Sequence, residues 1–309
     1  MKQRVWWFVG LVLIVASLGV AGTFDASLVP NDARWIVHID VAALRGSTIG
    51  QSLLSKDLHA EMQQQWQQAE EMLGMNLRED LHAVTMYGGG IGQDDVVVWI
   101  RGKLKPQTLA SQATNMDGYQ SSQHGRHTIH SWLDTSAGEA SRAYGVVVDE
   151  TRGLMGPSEA QIQKALQVMA GEHPNVTDGG IPVSTLTARG LLMAATADLS
   201  EVDFSENPML AQANVNARNF RMQVRESDGT LGVRIAVQQG SAQEAQQAEE
   251  MLNGLKMMGM MQLGQQNPDL ASFLQSISIS RREDVLTLSM TYASEKVAAF
   301  LQQAAEQAQ

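Results

Sequence analysis

Three of the seven histidines of the chain lie within seven positions, in the segment "SSQHGRHTIHSW" at residues 121–132. Imidazoles bind zinc or copper when three or four ligands converge on one point, so His124, His127 and His130 are candidate metal ligands. If residues 126–132 form a strand, His127 and His130 point to opposite faces, because side chains alternate along a strand. His124 could share a face with His130, but it lies across the turn. The spacing therefore favours a hairpin with solvent-facing imidazoles over a metal site.

A second group of possible metal ligands is the methionine-rich segment "LKMMGMMQL" at residues 255–263. On a predicted helix, Met257 and Met261 are i,i+4 neighbours, and Met258 and Met261 are i,i+3 neighbours. Thioethers favour Cu(I) as a ligand. The alternative is a flexible apolar face that packs in an irregular core or contacts a partner, and Gly259 would allow close packing against another element. We favour packing or partner contact, because no histidine is adjacent to strengthen a copper site.

The sequence shows no convincing catalytic constellation. His38 and Asp40 lie two positions apart on a predicted strand and share a face, where the carboxylate could tune a base. Their neighbours are apolar, however, and Asp40 is well placed to cap the helix that follows. The glycine-rich segment at 87–95 lacks the ending of a P-loop and precedes a strand. The chain has no cysteine, which excludes thiolate nucleophiles, disulfides and zinc thiolate sites. We expect no cofactor and lean against an enzyme.

The elements that must position these side chains follow from hydrophobic periodicity and turn residues. A short helix and turn are predicted at 40–55, and longer or separate helices at 57–73, 105–116, 157–172, 206–215, 241–263 and 294–307. Strands are predicted at 33–40, on both sides of the glycine-rich turn at 88–92, and from residue 190 to Asp198-Leu199. Further strands are predicted in hairpins that turn near Gly125, at 149–153, at Asp228-Gly229 and within 277–293.

The order of these elements repeats once along the chain. Each half has the pattern β-α-β-β-α-β-β-α, with an added hairpin in the first half. The proline- and glycine-containing segment 173–184 has little to bury and is predicted to be a linker. We therefore predict an α+β protein with two similar domains, at 28–172 and 185–309, each a mainly antiparallel sheet with helices packed on one face.

The first 22 residues are typical of an export signal. Lys2 and Arg4 precede an uncharged apolar run at 5–22, and small residues near its end suit cleavage after Ala21 or Gly22. The run is about 18 residues long, near the lower limit for a membrane span, so an uncleaved N-terminal anchor stays open. We expect the chain to be exported and to be periplasmic or associated with the cell envelope.

The charge balance argues against several classes of partner. The chain has 22 basic and 33 acidic residues, and loss of Lys2 and Arg4 would leave 20 basic residues and a net charge of about −13. Such a chain repels phosphate backbones, and no basic stripe is visible along the sequence. We expect no nucleic acid partner, and membrane contact only through the N-terminal segment if it is uncleaved.

Two segments, "LVPNDARWIVHIDVAALRGSTIGQSLL" and "GMNLREDLHAVTMYGG", carry a resemblance to a known group of proteins. They are similar to segments of uncharacterised exported proteins of planctomycete-type bacteria, over residues about 28–102. Shared features are an acidic-proline start, a strand that ends in aspartate, a long helix and an aspartate-leucine-x-x-valine strand. The resemblance implies an exported architecture and assigns no catalytic or binding residue.

The sequence is therefore compatible with three functions. The first is an exported, non-enzymatic binding or scaffolding protein of the cell envelope, whose partner is another envelope protein or a second copy of the chain. The second is a copper- or zinc-binding protein that uses the histidine hairpin or the methionine helix. The third is a hydrolase with a site between the domains, which predicts a cleft near 173–184 lined by ionisable groups with strongly shifted pKa values.

Overall fold

The structure is a computed structural model that describes residues 22–53, 67, 70–71, 74–90, 95–135, 140–202, 216–263 and 268–307. The predicted export signal, apart from Gly22, and the predicted helix at 206–215 lie outside the described residues. Of the predicted helix at 57–73, only Gln67, Glu70 and Glu71 are described, and they are helical.

Twelve strands form one sheet in which every neighbouring pair of strands is antiparallel. The strands are β1 (Trp35–Asp40), β2 (Leu81–Gly88), β3 (Val97–Gly102), β4 (Gln120–His124), β5 (His127–Asp134), β6 (Ser141–Asp149), β7 (Arg152–Gly156), β8 (Leu191–Asp198), β9 (Ala217–Ser227), β10 (Thr230–Gln239), β11 (Ile277–Arg282) and β12 (Val285–Ala293).

The two halves of the chain meet edge to edge at the centre of this sheet, where β1 pairs with β8. The order from one edge to the other is β11-β12-β10-β9-β8-β1-β2-β3-β7-β6-β5-β4. Outward from the centre, the first half has β1, β2, β3, β7 and β6, and the second has β8, β9, β10, β12 and β11. The two half-sheets therefore have equivalent strand orders, and the hairpin β4-β5 extends only the first half.

Helices lie on the two sides of the sheet. In the described part of the chain the α-helices are α1 (Val41–Gly46), α2 (Thr48–Leu53), α3 (Leu77–Asp80), α4 (Pro106–Thr114), α5 (Glu159–Ala170), α6 (Ala242–Leu263), α7 (Pro268–Ser276) and α8 (Ser294–Gln307). The α+β class and the mainly antiparallel sheet are confirmed.

The two faces of the sheet carry two separate buried clusters, because side chains alternate along each strand. On the α1 face, Ile39 and Val84 pack with Leu44 of α1 and with Leu231 of the second half. On the α5 face, 18 buried residues, including Ile36 and Trp99, pack with helix α5 and with the segment before β1. The first half is thus covered on both faces.

The second half is covered by helices on the α1 face. Phe273 of α7 packs edge-on against Tyr292 of β12, with ring centroids 5.5 Å apart, and against Phe300 of α8 at 5.8 Å. Ala298 of α8 joins the cluster on the α1 face. The two helices that follow the last strand of each half therefore lie on opposite sides of the sheet, with α5 on one side and α8 on the other.

Local signals in the sequence explain where several elements begin and turn. The Asp40 carboxylate accepts a hydrogen bond from the backbone N–H of Ala43 at 2.8 Å, which caps α1 as predicted. Ser158 caps α5 in the same way. The hairpin of β9 and β10 turns at Asp228 and Gly229, whose φ angles of 51° and 70° lie in the left-handed region that a tight hairpin turn requires.

The predicted linker at 173–184 is packed against the fold. Val176 and Ile181 are buried in the cluster on the α5 face, and the Val176 N–H donates to the carbonyl of Val29 at 2.8 Å. Pro30 and Asn175 form an antiparallel bridge. The expectation that this segment has little to bury is therefore wrong. Among the described residues, no helix is both long and apolar enough to cross a membrane.

Candidate functional site

The hairpin β4-β5 places the three clustered histidines on different faces. His124 and His127 are directly opposite each other in the strand register, so their side chains share the α5 face. His130 pairs with Ser121 and lies on the other face, as its three-residue separation from His127 predicts. The expectation that His124 could share a face with His130 is wrong, because the tight turn at Gly125 fixes the opposite register.

His130 already has a partner within the protein. Its Nδ1 lies 3.0 Å from the Tyr119 hydroxyl, and the two rings stack with centroids 5.9 Å apart. Burial lowers the pKa of His130 below its ordinary value. Within the described ranges, no group of three or more histidine, aspartate or glutamate side chains is placed to hold a metal ion. The hairpin therefore places the imidazoles of His124 and His127 on one face of the sheet and that of His130 on the other.

Four of the five methionines of α6 face solvent. Along the solvent-facing half of the helix, the exposed fractions are 39% for Met251, 50% for Leu255, 66% for Met257, 50% for Met258 and 76% for Met261. We call these five residues the methionine face. Core packing, one of the two roles favoured from the sequence, is therefore wrong for Met257, Met258 and Met261, whereas partner contact stays a prediction.

The opposite side of α6 packs against the protein. Ala245 is fully buried, and the Glu249 carboxylate forms an ion pair of 3.3 Å with Arg281 of β11. A Cβ atom added to Gly259 would lie 3.3 Å from Leu274 of α7, so this glycine does allow close helix packing. Helix α6 thus has a packed side and an apolar side with no described partner.

His38 and Asp40, the pair considered as a tuned base, have structural roles. The ring nitrogens of His38 lie 2.9 Å from the Thr85 hydroxyl and 2.6 Å from the carbonyl oxygen of Gly22. Burial lowers the pKa of His38 although its hydrogen bond to Gly22 opposes this shift. Both nitrogens are occupied and Asp40 caps α1, so the pair is not arranged for proton transfer to a ligand.

A cleft borders the predicted linker, lined by residues 31–34, 180–182, Asp198 and Asn219. Arg34 forms an ion pair of 3.0 Å with Asp198 and a second one with Glu201. Burial alone would raise the pKa of Asp198, but hydrogen bonds from Ser200 and the charge of Arg34 outweigh burial and lower it. The Asp198 carboxylate is therefore held ionised and paired with Arg34.

The second half carries a basic surface that was not predicted from the sequence. Strand register brings Arg221, Arg225, Arg234 and Arg282 to the α5 face of the second half, although no basic stripe is visible along the sequence. The available signal was the alternation of polar with apolar residues in β9, which puts Arg221 and Arg225, four positions apart, on one face.

Comparison with known proteins adds information on the fold alone. No family model matches the chain, and no curated protein is similar to it. The resemblance to exported proteins of planctomycete-type bacteria therefore stays an expectation. Among solved structures, crystal form III of TP0453, a Treponema protein, has a TM-score of 0.53 and 12% identity, over 91% of this chain and 99% of that chain. Crystal form IV has a TM-score of 0.51 and 10% identity, over 91% and 97% of the two chains. At these identities, the similarity to TP0453 shows a shared fold alone.

Proposed function

We propose that this protein is an exported, non-enzymatic binding protein of the cell envelope, and that the methionine face of α6 contacts its partner. The partner is another envelope protein that presents an apolar groove to this helix. The observation that carries the proposal is the exposure of five large apolar side chains on the solvent-facing half of α6.

Such exposure is unfavourable for a protein that acts alone. Full burial of a leucine or methionine side chain contributes about 1.5–3 kcal/mol, so a partner that covers the methionine face recovers part of this free energy. Contiguous exposed apolar patches commonly mark interaction sites. Methionine also suits such a site because its unbranched, polarisable side chain adapts to irregular surfaces.

The size of the methionine face favours a groove on a partner over a stable dimer of this chain. Residues 251–261 span about 15 Å along the helix axis at a rise of about 1.5 Å per residue. A stable symmetric interface needs roughly 20–30 residues on each side, which this face does not supply. Recognition of one amphipathic helix by an apolar groove needs only anchors at spacings of three and four residues, and Met251, Leu255 and Met258 provide them.

Envelope localisation is supported by the sequence of the first 22 residues, which lie almost entirely outside the described structure. A binding role is also supported by the paired or capped state of the polar groups that were considered for catalysis. His38, Asp40 and Asp198 all hydrogen-bond within the protein.

The test is capture of envelope proteins from the source organism by the full chain and by two matched variants. In the first variant, Met257, Met258 and Met261 are replaced by glutamine, which keeps side-chain length and removes the apolar surface. In the second, the same residues are replaced by leucine, which keeps the apolar surface. We expect a protein that crosslinks to α6 to be captured by the original chain and the leucine variant, and lost with the glutamine variant.

Two results would count against the proposal. One is capture that is equally strong with the glutamine variant, since the contact would then lie elsewhere. The other is a folded monomer that captures nothing from the envelope. A dimer that depends on the methionine face would replace the envelope partner by a second copy of the chain.

A further inference from the structure

The α5 face of the second half carries an unusual concentration of positive charge. On β9, β10, β11 and β12, every second side chain points to this face, and the intervening apolar side chains pack on the α1 face. The polar set contains four arginines and no carboxylate from the strands themselves. Its members are Asn219, Arg221, Gln223, Arg225, Arg234, Gln238, Thr287, Ser289, Thr291, Ser278, Ser280 and Arg282.

These arginines have no acidic partner among the residues that the structure describes. Arg225 reaches only the side-chain oxygen of Gln223, at 3.4 Å, and no ion pair involves Arg221, Arg234 or Arg282. Glu226, which follows Arg225, points to the α1 face and binds helix α2. Asp284, two positions after Arg282, accepts a hydrogen bond of 2.9 Å from the Gln238 side chain. The arrangement is notable because the whole chain has a net charge of −11.

Two of the arginines line a groove with a volume of about 280 Å³. Arg221 and Arg234 lie diagonally across the β9-β10 pair, since Arg234 is opposite Gln223 and Arg221 is opposite Ala236. Diagonal positions on one face are roughly 7–8 Å apart, so two long arginine side chains can reach one ligand between them. The remaining lining residues are Ser184, Thr185, Gln223, Ala236, Val285 and Thr287.

The groove also offers ordered hydrogen-bonding groups. The Gln223 side-chain amide donates to the backbone carbonyl of Thr185 at 2.8 Å, which fixes its orientation and joins the 184–185 loop to the sheet. The Gln223 amide nitrogen has a second N–H, and this donor and the hydroxyl of Thr287 line the groove together with the two guanidinium groups. Ala236 is small and opens space between them.

We propose that this groove binds an oxyanion ligand, through the phosphate or carboxylate groups of a small soluble molecule. Arg221 and Arg234 supply the charge, and Gln223 and Thr287 supply hydrogen bonds. The guanidinium fork matches the geometry of carboxylate and phosphate oxygens and binds both in a bidentate manner. The site lies on the opposite side of the sheet from the methionine face and does not depend on the function proposed for α6.

A small ligand fits the charge distribution better than an anionic membrane surface. The basic face belongs to a chain whose net charge is −11, so an extended anionic surface would repel most of the molecule. A small ligand in the groove meets only the local charge of the arginines.

The experiment is calorimetric titration of the full chain with inorganic pyrophosphate and, separately, with citrate. The test variant is Arg221→Gln with Arg234→Gln, and the matched control is Lys105→Gln with Arg126→Gln, which removes the same charge from exposed sites in the first half. A third variant, Arg221→Lys with Arg234→Lys, keeps the charge without the guanidinium fork. We expect at least one probe to bind the original chain and the control variant with equal affinity. The same probe should bind the lysine variant about tenfold more weakly, and it should show no measurable binding to the glutamine variant.

Three outcomes would overturn the proposal. These are no binding of either probe, equal binding by the glutamine variant, and loss of binding in the control as large as in the glutamine variant. Binding of the chain to phosphatidylglycerol vesicles without binding of either soluble probe would also overturn it and identify a surface as the ligand. Capture of an envelope protein through α6 should be the same for all these variants, which separates the two proposals.

Discussion

The carboxylate of Glu226 in β9 accepts a hydrogen bond of 2.6 Å from the backbone N–H of Thr48, the first residue of helix α2. A second hydrogen bond of 3.0 Å comes from the N–H of Ile49. The two partners are 178 residues apart, so a strand of the second half caps a helix of the first half. The N-terminal N–H groups of a helix have no intrahelical acceptor and need one from elsewhere. Glu226 supplies that acceptor to α2, so this contact joins the two halves of the chain.

Removal of this cap should destabilise the whole fold. We expect Glu226→Ala to lower the free energy of unfolding by about 1–2 kcal/mol, because it leaves two N–H groups of α2 without an acceptor. Glu226→Gln keeps an acceptor oxygen and should cost less. Urea unfolding measures both, with the exposed Glu172→Gln as a control that should change little. A Glu226→Ala variant as stable as the control would show that the cap contributes nothing.

The contribution of Glu226 to the free energy of unfolding should also depend on pH. Burial alone would raise its pKa, but the hydrogen bonds from Ile49 and Thr48 outweigh burial and hold the pKa below the ordinary value of 4.5. A carboxylate with a lowered pKa stabilises the folded state above its unfolded pKa, and this stabilisation is lost as the pH falls through the folded pKa. The stability difference between the original chain and Glu226→Gln should therefore be full at pH 7 and shrink below about pH 4.5. A difference that stays constant down to pH 3 would contradict this assignment.

The burial of His38 predicts a second pH dependence of the free energy of unfolding, at higher pH than that of Glu226. Burial lowers its pKa below 6.5 in the folded protein, so the folded state resists protonation that the unfolded chain accepts. Its contribution to stability is complete above pH 6.5 and is lost as the pH falls from there through the folded pKa. We expect His38→Gln to reduce the slope of unfolding free energy against pH between 7.5 and 5.5. The control His173→Gln should leave that slope unchanged, and an equal effect of both variants would refute the role of His38.

The sequence predicted the local elements of the fold because their signals are local. Alternation along β9, β10 and β12 predicts strands with one buried face, and the Asp228-Gly229 pair predicts the hairpin turn between the first two. Asp40 was recognised as a helix cap from its place between a strand and a helix. In each case, the interactions that form the element act between residues that are a few positions apart in the chain.

The arrangement of those elements could not be predicted in the same way. Pairing of β1 with β8 joins residues more than 150 positions apart, and the sequence of neither strand identifies the other. Burial of Val176 depends on the segment before β1, which packs beside it. The basic face needs the register of four strands before Arg221 and Arg234 become neighbours. An apolar stripe on α6 predicts that other residues pack against it. It does not indicate whether those residues belong to this chain or to a partner.

Metal binding can be tested against the hairpin geometry. Zinc sites in proteins use three or four protein ligands, whereas the β4-β5 hairpin brings together only His124 and His127. We therefore expect titration with Zn(II), Cu(II) or Cu(I) to show no binding tighter than micromolar. His127→Ala and Met261→Leu identify the ligand set if binding occurs. Submicromolar affinity that disappears with either substitution would restore the metal-binding alternative.

The exposure of α6 leads to a stability prediction that separates a surface role from a core role. Substitutions at exposed sites without special contacts change stability by at most about 0.5 kcal/mol, whereas truncation of a buried leucine costs about 2–5 kcal/mol. We expect Met258→Gln with Met261→Gln to fall in the first range. Leu286→Ala, at a position of β12 that is 3% exposed, should fall in the second. Urea unfolding of the purified full chain measures both. A methionine variant destabilised as strongly as Leu286→Ala would mean that α6 packs within the fold in solution, and the proposed contact with a partner would lose its basis.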